Sequence, residues 1–182
     1  GFMKNIIVLN TSLVTLKVDI IVNAANKSLL GGGGIDGVIH RNAGKELLLE
    51  CKKLNGCETG EAKMTGAYNL PCDRIIHTVG PVYVDGKHNE EELLSNAYKN
   101  SIALANKYRI ENNLDKVTIA FPCISTGVYH YPKMEACKVA VNSVKNSIND
   151  DITVIFVCFD EENYKYYVKE VYNIDIVWKN DF

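Results

Sequence analysis

Short apolar runs alternating with segments of helical spacing constrain this chain more than any other feature. KNIIVLN (4–10), DIIVNAA (19–25), RIIHTV (74–79), VTIAFP (117–122), ITVIFVCF (152–159) and IDIVW (174–178) are rich in β-branched residues, with AKMTGAY (62–68) a weaker strand candidate. Several runs are continuous rather than alternating, as expected of strands covered on both faces. Helices are expected over 35–43, 45–54, 89–110, 133–148 and 161–171. In the third, Leu93, Leu94, Ala97, Ile102 and Leu104 form one apolar stripe, and Asp160 stands where an N-cap would open the last. This alternation predicts an α/β fold: a three-layer α/β/α sandwich around a mostly parallel, mixed central sheet. Nothing resembling a linker or repeat interrupts it, so one domain is expected over 3–182, with Gly1-Phe2 ahead of Met3 read as an expression scar.

Within that alternation sits LLGGGGIDGVIH, Leu29 to His40. Consecutive glycines lose the most backbone entropy on folding and bring no side chain to pack. Their place between a strand and a helix argues against a solvated linker and for a main chain that something must approach closely. Gly32, Gly34 and Gly37 satisfy G-x-G-x-x-G, so a dinucleotide-dependent oxidoreductase has to be weighed. Its context is poor: Asn-Ala-Ala-Asn-Lys-Ser-Leu-Leu (23–30) stands between Ile20-Ile21-Val22 and the glycines, and the acidic residue expected about 20 positions on falls near Glu58 in a turn-like NGCETG. A Cβ-free loop entering a helix N-terminus still offers N–H donors beside the positive end of the helix dipole, a natural seat for phosphate. A second such loop, ISTGVYHYP (124–132), follows the fourth strong strand. Both lie at carboxyl ends of strands, where ligands bind open parallel sheets. Two facing loops of this kind predict a clamp on a diphosphate.

Composition narrows the partners. A net charge of −2 over 182 residues, with 47% hydrophobic and 23% charged residues, gives no signal for nucleic acid and none for a membrane. No apolar run approaches the roughly 18 residues of a membrane span. The six cysteines form no C-x-x-C pair, and several lie in apolar runs. Free thiols, a reducing compartment and a cytoplasmic location are therefore expected, and the spacing of Cys51 and Cys57 suits no zinc knuckle.

Four stretches together resemble the macrodomain family, and more closely its MacroD-type ADP-ribosylhydrolases: IVNAANKSLLGGGGIDGVIHRNAG (21–44), CETGEAKMTGAYNLP (57–71), IIHTVGP (75–81) and FPCISTGVYHYP (121–132). The resemblance implies an α/β/α sandwich that binds ADP-ribose and hydrolyses the bond from its distal ribose to a protein acidic side chain or to an acetyl group. It implies no metal and no organic cofactor. The implied partners are ADP-ribose and mono-ADP-ribosylated proteins, for a protein expected to be a monomer. By position, Asn26 and Asp36 would be the catalytic pair, Asn26 on the distal ribose and Asp36 on the attacking water. Gly32, Gly33, Gly34 and Ile35 would line the diphosphate and ribose from one side, and Ser125, Thr126, Gly127, Val128 and Tyr129 from the other. Ser12, Leu13, Asn23 and Ala25 would complete the ligand surface, and Phe159 would stack on adenine. A non-enzymatic reader of ADP-ribose is the alternative, and Asp36 separates the two: binding needs the loops, hydrolysis a group that handles water.

Two departures from the family pattern stand out. Ser12 occupies the place of an aspartate that accepts from the adenine amino group, and a neutral acceptor predicts weaker adenine selectivity. His130 replaces a glycine of the second loop and is expected to point to solvent. Asp36 also suits an N-cap and Asn26 a turn. His77 and His40 read as structural histidines, and Cys123 has no neighbouring base in sequence.

Overall fold

The computed structural model describes residues 4–177. Six strands form one sheet: β1 (Ile6–Leu9), β2 (Ile20–Ala24), β3 (Ala62–Gly66), β4 (Arg74–Thr78), β5 (Val117–Phe121) and β6 (Ile152–Val157). Their spatial order is β1-β6-β5-β2-β4-β3. All neighbours are parallel except β3, which runs antiparallel to β4 at the edge. Among the described residues five α-helices cover it: α1 (Gly34–Ala43), α2 (Lys45–Lys53), α3 (Glu90–Glu111), α4 (Lys133–Lys145) and α5 (Glu161–Tyr172), and a short 3-10 helix, Leu13–Thr15, precedes β2. The expected three-layer sandwich with a mixed, mostly parallel sheet is therefore observed.

Strand periodicity divides the core into two halves. Ile20 and Val22 face α3, α4 and α5, in a cluster centred on Tyr98, Phe121, Phe156 and Tyr167. Ile21, Ile75, Ala120 and Ile155 face α1 and α2, where Ile39, Ala43, Leu47 and Cys51 close over them. Each fully buried large apolar side chain contributes about 1.5–3 kcal/mol. The same periodicity sends Asn23, two residues after Ile21, and His77, two after Ile75, toward the α1 and α2 layer.

One expected strand is absent. Described residues 174–177 are irregular, and Trp178 lies outside the described residues. On the β1 side the Val8 amide is taken by the Tyr172 hydroxyl, to which it donates at 2.9 Å. The β3 edge is blunted in the same way, Gly66 N–H donating to Glu50 Oε1 at 2.9 Å. Both devices cover backbone groups that would otherwise template pairing. All six cysteines are free.

Candidate functional site

The chain leaves β2 toward β4 and β3, and leaves β5 toward β6 on the opposite side. The adjacent carboxyl ends of β2 and β5 are therefore the point where the sheet's winding reverses, which opens a crevice in any such fold. Both glycine-containing loops leave the sheet at that crevice.

The first loop runs from Asn26 into α1. Asn26 organises it: one Nδ2 hydrogen goes to Gly31 O at 3.0 Å, and Oδ1 accepts from Ser28 N at 3.1 Å and Ser28 Oγ at 2.6 Å. A carboxamide has two N–H groups, so one stays available. A Cβ placed on Gly32 would lie 3.2 Å from Asp36 Oδ2 and 3.3 Å from Asn26 Nδ2. The two residues expected to act together thus flank one glycine. Gly37 is glycine for packing, since a Cβ there would meet Gly32 O at 2.6 Å. Gly33 differs: a Cβ would touch nothing within 4 Å, so internal packing does not demand glycine there.

Helix α1 opens behind Gly33 with no side-chain cap. The amides of Gly32, Gly33, Gly34 and Ile35 donate to no protein group among the described residues. They form a row of uncommitted donors at a positive helix end.

The second loop is seated by packing. A Cβ on Gly80 would come within 2.5 Å of Ile124 and collide with the Ser125 side chain. Ser125, at φ 66°, donates through Oγ to Pro81 O at 2.8 Å, and Tyr83 N–H donates to Tyr129 O at 2.8 Å. Thr126 Oγ1 donates to Cys123 O at 2.8 Å and accepts from Asn163 at 3.3 Å. With both hydroxyls committed to the fold, the loop presents mainly its backbone: the Gly127, Val128 and Tyr129 amides have no protein acceptor among the described residues. Val128 and Phe159 project outward at 81% and 83% exposure. His130 is exposed, as expected, and holds φ 60°, a conformation glycine adopts without the steric cost an L side chain bears.

Beneath the first loop lies a polar network. Asp36, 4% exposed, accepts at Oδ1 from Asn23 Nδ2 at 2.8 Å, with His40 Nε2 at 3.4 Å from the same oxygen. Burial raises the Asp36 pKa above the ordinary carboxylate value, while the Asn23 hydrogen bond and the neighbouring His40 pull it down; burial prevails. Asn23 is wholly buried and sits 3.1 Å from His77 Nδ1. Its expected place at the ligand surface is corrected accordingly: the strand pleat turns it under Asp36. Ala25 and Leu13 are likewise buried, Ala25 N–H donating to Thr78 O at 2.9 Å, while Ser12 is exposed and leaves its short helix uncapped. Burial, helped by His40, drives the His77 pKa down to about 3, so the ring is neutral near pH 7. A hydrogen bond to Cys158, 3.6 Å away, and burial raise the Cys123 pKa, which suits a core thiol rather than a nucleophile.

Sequence reasoning paired Asn26 with Asp36 but not Asn23 with His77. The available signal was their common offset from Ile21 and Ile75 on strands that pair in register.

A family model described as the Macro domain matches residues 22–140. A macro domain-containing protein of Mesorhizobium japonicum is 51% identical over 162 residues, covering 87% of this chain and 89% of its own. A protein of Escherichia fergusonii named O-acetyl-ADP-ribose deacetylase is 50% identical over 169 residues, with 88% and 91% covered. Among solved structures, a Trypanosoma brucei macrodomain in complex with ADP-ribose superposes with a TM-score of 0.82 at 39% identity, covering 92% of this chain and 69% of that one.

Proposed function

Because the chain belongs to the macrodomain family, we propose that it binds ADP-ribose and hydrolyses esters of its distal ribose, releasing mono-ADP-ribose from modified acidic side chains of proteins and acetate from O-acetyl-ADP-ribose. One observation carries this reading: two rows of uncommitted backbone donors meet at the crevice, with Asp36 Oδ2 and Asn26 Nδ2 flanking Gly32 between them. The relative named as a deacetylase and the neighbour holding ADP-ribose support the ligand and the class of bond.

In this reading the amides of both loops take the diphosphate, as helix N-termini and backbone nests do. Phe159 offers a flat apolar face to the adenine. The spare N–H of Asn26 orients a ribose hydroxyl. Asp36 then takes a proton from a water held between its carboxylate and a phosphate oxygen. The water oxygen bonds to the carbon under attack, the ester C–O bond breaks, and the leaving oxygen acquires a proton. Burial suits Asp36 to this task, because a base works best with a pKa lifted toward the operating pH.

The test is incubation with a protein automodified with ester-linked mono-ADP-ribose, and separately with O-acetyl-ADP-ribose, following free ADP-ribose and acetate. Release of both, undiminished by a chelator, is expected. Tight ADP-ribose binding without release from either substrate overturns the hydrolase and leaves a reader.

A further inference from the structure

The network behind Asp36 runs across three strands in one direction. Asn23 and His77 are register partners on β2 and β4. Thr65 on β3 lies opposite Ile75, on the same face of the sheet. His77 Nε2 is 2.9 Å from Thr65 Oγ1, and that hydroxyl donates to Gly66 O at 3.0 Å. A hydroxyl that has given its hydrogen to Gly66 can only accept from His77, so His77 carries its proton on Nε2. Its Nδ1 is then a bare acceptor and takes one N–H of Asn23, leaving the other for Asp36 Oδ1. Asn23 Oδ1 is buried without a partner, so His77 and Asp36 alone hold the amide. With the amide reversed, two acceptors would face each other at the 2.8 Å now separating Asn23 Nδ2 from Asp36.

We infer that His77 is a positioning residue for hydrolysis: its Nδ1 lone pair holds the Asn23 amide N–H toward Asp36 Oδ1, so that Oδ2 is the oxygen left to face the cleft. This rests on the hydrolase reading above. An apolar side chain would fill the same space without burying an imidazole, but it would strand an Asn23 N–H and leave Thr65 Oγ1 with only its bond to Gly66 O. Asn23 would then be held by Asp36 alone, and the orientation of both side chains would loosen. The titratable groups around Asp36 are His40 on its own helix, Cys51 on α2 and His77 on β4.

The experiment compares His77→Phe, which keeps the ring but removes both nitrogens, with His77→Asn, whose amide oxygen supplies an acceptor near the Nδ1 position. His77→Phe is expected to lower kcat on the ester substrate on the order of tenfold to a hundredfold, with KM and ADP-ribose affinity within about threefold. The acid limb of kcat should move to higher pH, because the Asn23 hydrogen bond that lowers the Asp36 pKa is weakened. His77→Asn should recover most of the loss. Wild-type kcat in His77→Phe, or a loss shared equally with ADP-ribose binding and not rescued by His77→Asn, overturns the assignment. If His77→Phe fails to fold, nitrogen-15 NMR of the wild-type imidazole decides: a lone-pair signal from Nδ1 supports the assignment, and a protonated Nδ1 overturns it. An inactive wild-type protein would instead overturn the hydrolase reading and the catalytic consequence drawn here, while the NMR result still decides whether His77 orients Asn23.

Discussion

The two loops that face each other across the crevice are both poor in side chains, yet they are held in opposite ways. The first rests on buried polar groups: Asn26 ties its turn to Gly31, and Asn23 and Asp36 lie bonded beneath it. The second rests on close contact, with Ile124 and Ser125 pressed against Gly80 and the Ile124 amide donating to the buried Tyr98 hydroxyl at 3.3 Å. A polar foundation can carry a titratable group into the cleft. A packed one presents only its backbone. Under the proposed hydrolase function, the difference gives chemistry to one wall and grip to both.

Variants that separate these duties test the contrast. Asp36→Ala has the largest expected effect, a fall in kcat of about 10²–10⁴ with ADP-ribose affinity nearly unchanged by calorimetry. An equal kcat-only loss from a second-loop variant would break the division. Next is Gly80→Ala, whose added methyl meets Ile124 and Ser125. It should lower stability in urea by about 1–3 kcal/mol and weaken ADP-ribose binding through the displaced loop. Gly33→Ala is its counterpart, because the new Cβ meets no protein atom. Stability should stay within about 0.5 kcal/mol, while ADP-ribose affinity drops roughly tenfold, equivalent to about 1.4 kcal/mol. If Gly33→Ala binds normally, no diphosphate passes close to that glycine.

The polar foundation also leaves a pH signature. With its pKa raised in the fold, Asp36 favours folding least when ionised. Its contribution is fully present below the unfolded-state value and is lost as pH rises through the folded one. Asp36→Asn should therefore gain stability relative to the wild type as pH rises above about 4, read from thermal midpoints at each pH. The smallest effect is expected of His130→Gly. Relief of the left-handed side chain at φ 60°, offset by the greater entropy of unfolded glycine, should raise stability by about 0.5–1 kcal/mol.

Much of this architecture was legible from local pattern. Continuous β-branched runs mark strands buried on both faces, and β2, β4, β5 and β6 are of that kind. Strand β3 was faint because it is a half-buried edge with Lys63 and Thr65 in its middle. The described residues 174–177 show the converse: they are irregular, so β-branched composition alone does not make a strand. Motif position singled out Asn26 and Asp36, which the fold brings to either side of Gly32. It did not identify the Asn23–His77 contact, which spans 54 residues and depends on the register of two strands. The need for glycine at position 80 is not legible locally, because it comes from Ile124 and Ser125, which only the fold brings against it.

The stretch from His77 to Pro81 touches nearly everything the cleft depends on. His77 meets Asn23, Thr78 O takes the Ala25 amide, Val79 O takes that of Gly60, Gly80 makes room for Ile124 and Ser125, and Pro81 O receives the Ser125 hydroxyl. Five consecutive residues thereby act as a common keel for both walls. A shift anywhere along that keel must be felt at the Asp36 carboxylate and at the opposite rim together, so neither can drift out of alignment alone.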